Sequence, residues 1–209
     1  MSGEGARPAD LPELPPGPPL LVVLSGASGT GKDAIRDLLL AWGLPFHSLV
    51  TATTRPRRPG EVAGRDYRFL SNAEFDRLEA ADGLIEHATV YGRRYGVPRD
   101  EVLAPLAAGR DVIARVDVQG AATLRRLIPD ALLIFIAAPS VEEARRRLEA
   151  RDTDSEADRR LRLETAAAEM EAAREFDYVV VNETGRLEDA ARRVVEIVVA
   201  EKRRRGGTA

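Results

Sequence analysis

The chain predicts an α/β fold, a parallel sheet with helices on both faces. Two observations lead there. Short apolar runs alternate with amphipathic stretches along most of the 209 residues, which is the pattern of repeated strand–helix–strand units. The first apolar run also opens straight into a glycine-rich loop and then a helix-patterned stretch, and such folds carry their ligands at the C-terminal ends of strands.

Taken in order, Met1–Pro19 is rich in Pro, Gly and acids. It holds too little apolar surface to offset the entropy of ordering, so a disordered tail is expected. Leu20–Leu24 is apolar throughout and reads as a buried strand. Asp33–Trp42 sets Ile35, Leu38 and Leu39 on one helical face. Phe46–Thr54 reads as the second strand, and Arg55–Gly64, with three arginines, two prolines and two glycines, as a loop. Tyr67–Leu70 is a short strand, and Asn72–Ala80 a helix capped near Ser71. Leu84–Tyr91 and Arg94–Val97 are strands, and Arg99–Ala108 is a helix stopped by Gly109. Strands are expected at Asp111–Val118, Leu132–Ala137 and Tyr178–Val181. Helices are expected at Ala121–Leu127, Val141–Arg151, Ala157–Arg174 and Leu187–Arg204.

Composition excludes several chemistries. There is no cysteine, hence no disulfide, thiolate metal site or cysteine nucleophile. Two histidines, His47 and His87, do not make a histidine metal centre. A net charge of −3 argues against nucleic acid as the main partner. No apolar run approaches the ~20 residues of a membrane helix, and no basic-then-apolar leader opens the chain. A soluble, cytoplasmic protein with neither membrane nor nucleic-acid partner is the expectation; oligomeric state is left open.

The loop is Gly26-Ala27-Ser28-Gly29-Thr30-Gly31-Lys32-Asp33-Ala34. Glycines let the backbone approach phosphate without a Cβ in the way. The amides near Gly29–Lys32 then form an anion nest, and the following helix adds its positive end. Lys32 is placed to reach the outer phosphates of a nucleotide. The competing reading is a glycine turn without a ligand. The residue after the lysine is ordinarily Ser or Thr, which gives Mg²⁺ a hydroxyl; here it is Asp33. A second constellation, Thr51–Glu61, sets Arg55 and Arg58 in a stiff Pro/Gly loop. Guanidinium forks suit phosphate, and an exposed basic loop fits the composition equally.

Here a family resemblance enters. Thr53-Thr-Arg55-x-x-Arg58-x-Gly60-Glu61 followed by Asp66-Tyr67 is similar to the acceptor loop of guanylate kinases. Leu84-Ile-Glu86-His-Ala, Tyr95-Gly96-x-Pro98-Arg99, Val116-Asp117-Val-Gln119-Gly120, Arg147-Leu-x-x-Arg151-x-Thr153-Asp154 with Arg162, and Phe176-Asp-Tyr-Val-Val-Val-Asn182 continue the likeness from Leu20 to about Val198. It implies a three-layer P-loop nucleoside-monophosphate-kinase fold. The domain would span 20–205, with core 20–50 and 100–205, a small mixed β insert binding GMP at about 51–99, and a helical lid at about 146–165.

The resemblance further implies phosphorylation of GMP by ATP, with Mg²⁺. Gly26–Ala34 and Asn182 would bind ATP, Asn182 near the adenine. Arg55, Arg58, Tyr67 and Tyr95 would hold the GMP phosphate, with Thr51 and Glu61 in support. Glu86 and Asp117 would accept from guanine. Lys32, Arg147, Arg151 and Arg162 would stabilise the moving phosphoryl group, and Asp33 is the candidate metal ligand.

Three positions depart from the family's commoner pattern: Asp33, Arg115 in place of an acid, and Val97 in place of a hydroxyl residue. An ion pair between Asp33 and Arg115 is the expectation; the alternative puts Asp33 on the metal and Arg115 on phosphate. Losing the hydroxyl at Val97 weakens guanine selection by one hydrogen bond, about 0.5–1.5 kcal/mol. The Gly-Lys-Asp ending also resembles ribose 1,5-bisphosphate kinases, and a non-catalytic guanylate-kinase-like binding module is the third reading.

Overall fold

The computed structural model describes residues 6–27, 29–90, 92–149 and 172–207. Its main sheet holds five parallel strands: β1 (Leu21–Ser25), β2 (His47–Ser48), β7 (Val112–Arg115), β8 (Leu132–Ala137) and β9 (Tyr178–Val181), in the order β2-β7-β1-β8-β9. β1 lies at the centre. Its alternate side chains face opposite layers, as the strand period requires. Val22 and Leu24 join Ile35 and Leu39 of α1 (Lys32–Ala41) and Val194, Val195 and Val198 of α6 (Leu187–Gly206). Leu21 and Val23 join Val102 of α3 (Asp100–Ala107) and Ala121 and Leu124 of α4 (Val118–Leu127). These two cores make the three layers. α5 (Val141–Glu149) follows β8.

A second, mixed sheet of four strands has the order β4-β3-β6-β5: β3 (Ala52–Thr53), β4 (Arg68–Phe69), β5 (Leu84–Val90) and β6 (Arg93–Pro98). α2 (Asn72–Ala80) covers it through Phe75, which packs with Ala52 and Leu84. The helix starts where expected: Ser71 Oγ accepts from Glu74 N, and the Glu74 carboxylate accepts in turn from Ser71 N at 2.7 Å, a capping box.

Three expectations change. Phe46–Thr54 is not one strand, because the chain leaves the main sheet after Ser48 and enters the second at Ala52. The strand expected to run to Val118 stops at Arg115. Asp117 accepts from Gly120 N at 2.8 Å and caps α4, which fixes the turn there. Residues 6–19, expected to be a loose tail, are held against α6. Leu11 is buried in the first core, Asp10 pairs with Arg192 at 2.9 Å, and Lys202 Nζ donates to Pro18 O. Lys202 and Asp111 form a buried ion pair at 2.8 Å, and Leu20 N also donates to Asp111.

Candidate active site

The phosphate loop joins β1 to α1. A Cβ on Gly26 would fall 2.2 Å from Ile136 O, and one on Gly31 2.3 Å from Asn182 Nδ2; both residues have positive φ, so glycine is required twice over. Thr30 Oγ1 donates to Ala27 O at 2.9 Å, and Lys32 Nζ donates to Gly26 O at 3.1 Å. Asn182 is buried, and its amide donates to Thr30 O at 2.9 Å. The position expected beside adenine also braces the loop itself. Ala34 is exposed on the first turn of α1. Ser28, Arg151, Arg162 and most of the expected lid lie outside the described residues.

The acceptor loop is organised by Glu61. One of its oxygens takes Arg55 Nη2 at 2.6 Å and the other takes Arg58 N at 2.7 Å. Arg55 is buried, and its guanidinium carbon stands 5.2 Å from the Tyr67 ring centre and 5.8 Å from that of Phe69. Burial works against its charge, but the Glu61 carboxylate outweighs this and holds the guanidinium above its ordinary value. Tyr95 packs edge-on to Tyr67 at 6.1 Å. Burial also raises the Tyr67 hydroxyl, which therefore stays protonated. Arg55, Tyr67 and Tyr95 form a single cluster of donors. Thr51 is buried nearby in sequence, at the entry to β3, with no partner for its hydroxyl among the described residues.

Glu86 lies on β5. A register shift between Leu84 and Glu86 uncouples two residues that period two would align. Leu84 packs on Phe75, whereas the Glu86 carboxylate lies over the first turn of α4, 3.1 Å from where a Cβ on Gly120 would stand. Glu86 is 7% exposed. No hydrogen bond reaches its carboxylate among the described residues, and Asp117 stands close enough to repel it. Burial first, then the Asp117 charge, push Glu86 up to about 7. Val97 is fully buried in the second core, which accounts for an apolar residue there.

Arg115 joins the two loops. Leaving the end of β7, it donates from Nη1 to Asp33 Oδ1 at 2.6 Å and to Tyr67 Oη at 3.2 Å, and from Nη2 to the Asp66 carbonyl. Its guanidinium lies 4.4 Å from the Tyr67 ring centre. The expected pair with Asp33 therefore forms. Desolvation acts to raise the Asp33 carboxyl, but Arg115, with Lys32 next, holds it down to about 2. Arg147 is half-buried: Nε meets Glu143 at 2.8 Å, while Nη2 donates to Asn182 O and Thr184 Oγ1, each at 3.0 Å. One residue was missed. Arg36, 3% exposed, sits 3.6 Å from Asp66; its place one turn after Lys32 sets both on one helical face.

The family model for guanylate kinase matches residues 19–201. The chain belongs to the guanylate kinase family. It is 43% identical over 192 residues to the chloroplastic/mitochondrial guanylate kinase 2 of Oryza sativa subsp. japonica, covering 91% of this chain and 67% of that one. It is 44% identical over 186 residues to a guanylate kinase of Thermus thermophilus, covering 89% and 83%. The crystal structure of guanylate kinase from Anaplasma phagocytophilum matches with a TM-score of 0.75 at 34% identity, covering 90% of this chain and 88% of that one. The two-sheet architecture is thus that of the guanylate kinase family. No helix among the described residues is long and apolar enough to cross a membrane.

Proposed function

We propose that this guanylate kinase family member transfers the γ-phosphoryl group of ATP to GMP or dGMP, in the cytoplasm, as a step of purine nucleotide metabolism. Glu86 carries the reading. A buried carboxylate needs a partner, and the fold supplies none among the described residues. The N1 and N2 hydrogens of guanine are a donor pair fit for Glu86 and Asp117. A sugar bisphosphate would leave Glu86 unanswered.

Phosphoryl transfer asks the protein for in-line positioning and for charge around the moving group. The acceptor phosphate has a second pKa of about 6 and needs no strong base. Arg55, Arg58, Tyr67 and Tyr95 would grip it, with Glu61 shaping their loop and Thr51 supplying a hydroxyl to the GMP site. Residues 26–34 would cradle the ATP phosphates. Lys32, Arg147, Arg151 and Arg162 would carry transition-state charge, the last three from a lid at about 146–165 acting against an insert at about 51–99. Mg²⁺ commonly takes one or two carboxylates and otherwise substrate phosphates and water. No cluster of three or more acidic or histidine ligands occurs among the described residues. With Oδ1 taken by Arg115, the 38% exposed Asp33 would offer at most its other oxygen to a metal held mainly by phosphate oxygens and water. When bound, the metal would neutralise phosphate charge.

The test is purified protein with ATP and Mg²⁺, offered GMP, dGMP, AMP and ribose 1,5-bisphosphate in parallel. ADP release with the guanine nucleotides is expected. Release with the sugar bisphosphate alone would overturn the assignment, and none with any would favour a binding module.

A further inference from the structure

We propose that Arg115 is a positioning residue that couples the two phosphate sites, holding the Asp33 carboxylate off the donor phosphates while fixing Tyr67 at the acceptor phosphate. The proposal rests on the reading above, that Lys32 marks the ATP site and Arg55–Tyr67–Tyr95 the GMP phosphate site.

Three features of the geometry carry it. First, Arg115 is nearly enclosed, with 7% of its side chain exposed, so each acceptor around it matters. Those acceptors belong to two distant segments: Asp33 follows the phosphate-loop lysine, and the Asp66 carbonyl and Tyr67 hydroxyl close the acceptor loop. One guanidinium thereby ties residue 33 to residues 66 and 67. Second, the three acceptors are divided between Nη1 and Nη2 while the guanidinium lies over the Tyr67 ring. A lysine ammonium cannot reproduce that fork. Third, Asp33 without Arg115 is a bare anion beside Lys32, where polyphosphate must bind. Like charges there repel. Arg36, 3.6 Å from Asp66, sets a second cation along the same seam, so the acceptor loop rests on α1 as well as on β7.

Removing Arg115 therefore does two separable things. It exposes an anion on the donor side and releases a tyrosine on the acceptor side. Deleting the anion as well repairs only the first.

The experiment measures kcat and both KM values for the wild type, Arg115→Ala, Arg115→Lys and the double variant Asp33→Ser/Arg115→Ala, each below its melting temperature. Arg115→Ala should raise the KM for ATP and for GMP by about tenfold or more, the scale of a lost charged hydrogen bond. The double variant should return the ATP KM to within about threefold of wild type and leave the GMP KM raised. Arg115→Lys should keep the ATP KM and raise that for GMP, and it carries the test if the alanine variant does not fold. A purely structural arginine would lower the melting temperature and leave both KM values within about twofold, which would overturn the proposal. Repair of both KM values in the double variant, or of neither, would overturn it too. Wild-type protein that turns over GMP with such an unsplit pattern defeats the coupling alone; wild-type protein inactive with GMP defeats the functional reading along with it.

Discussion

Glu86→Gln keeps the size of the side chain and removes its charge. In the folded wild type the carboxyl titrates at about 7 instead of 4.5, driven by burial and then by Asp117. At about 1.4 kcal/mol per pKa unit, ionising it costs roughly 3 kcal/mol more in the fold than in the unfolded chain. Between 4.5 and about 7 the folded state holds a proton that the unfolded state has released. Stability from this group is thus present below 4.5, falls as pH rises, and levels off above about 7. The glutamine variant lacks that fall. Its advantage should grow from near zero at about pH 4 to at most roughly 3 kcal/mol at about pH 8. For a chain of this size that is roughly 6–12 °C in melting temperature. Thermal melts without nucleotide, run on both proteins across that range, read it directly. A melting difference that stays constant with pH would refute the reasoning. The same variant should bind GMP worse by about tenfold or more, since its amide nitrogen sets a donor where the carboxylate had an acceptor. Stability and substrate affinity move in opposite directions.

Arg55→Lys should raise the GMP KM by about tenfold or more and leave the ATP KM within about twofold, because an ammonium cannot hold Glu61 and stack on Tyr67 together; steady-state kinetics checks it. Gly31→Ala forces a Cβ into the Asn182 amide at positive φ. It should cost about 1–3 kcal/mol in denaturant titrations, with partial recovery when Asn182→Ala is added. Lys202→Met strands Asp111 and should cost about 3–5 kcal/mol. Both KM values should stay unchanged, since this pair lies away from the nucleotide loops.

Local chemistry was the legible part of the fold. Leu132–Ala137 is β8 to the residue, since six apolar residues in a row have nowhere to be but a covered strand. Ser71 and Glu74 announce their helix because the capping box is written within four residues. What failed was non-local or hidden by composition. The apolar letters of Val112–Val118 mask a cap, although an aspartate before a helical stretch is a signal that could have been used. Phe46–Thr54 looks continuous because its β-propensity does not record a change of sheet. Leu11 is buried only because α6 offers it a seat. At the site, Asp33 and Arg115 are two departures from the family pattern whose charges complement each other, and the geometry joins them at 2.6 Å. The contacts of Arg115 with Asp66 and Tyr67 had no sequence signature, nor did the bulge that turns Glu86 onto α4.

The strand order has a consequence for how the molecule comes into being. β1, the centre of the main sheet, is made before either of its native neighbours, β7 and β8. During synthesis Leu21–Ser25 emerges with two apolar faces and two open hydrogen-bonding edges; one edge waits until the ribosome has passed Arg115 and the other until it has passed Ala137. Non-local pairing of this kind is slow, and an unpaired apolar edge invites other chains. Nascent chains halted before β8 should therefore be the aggregation-prone species, and slowing translation between Arg115 and Ala137 should lower the yield of soluble protein.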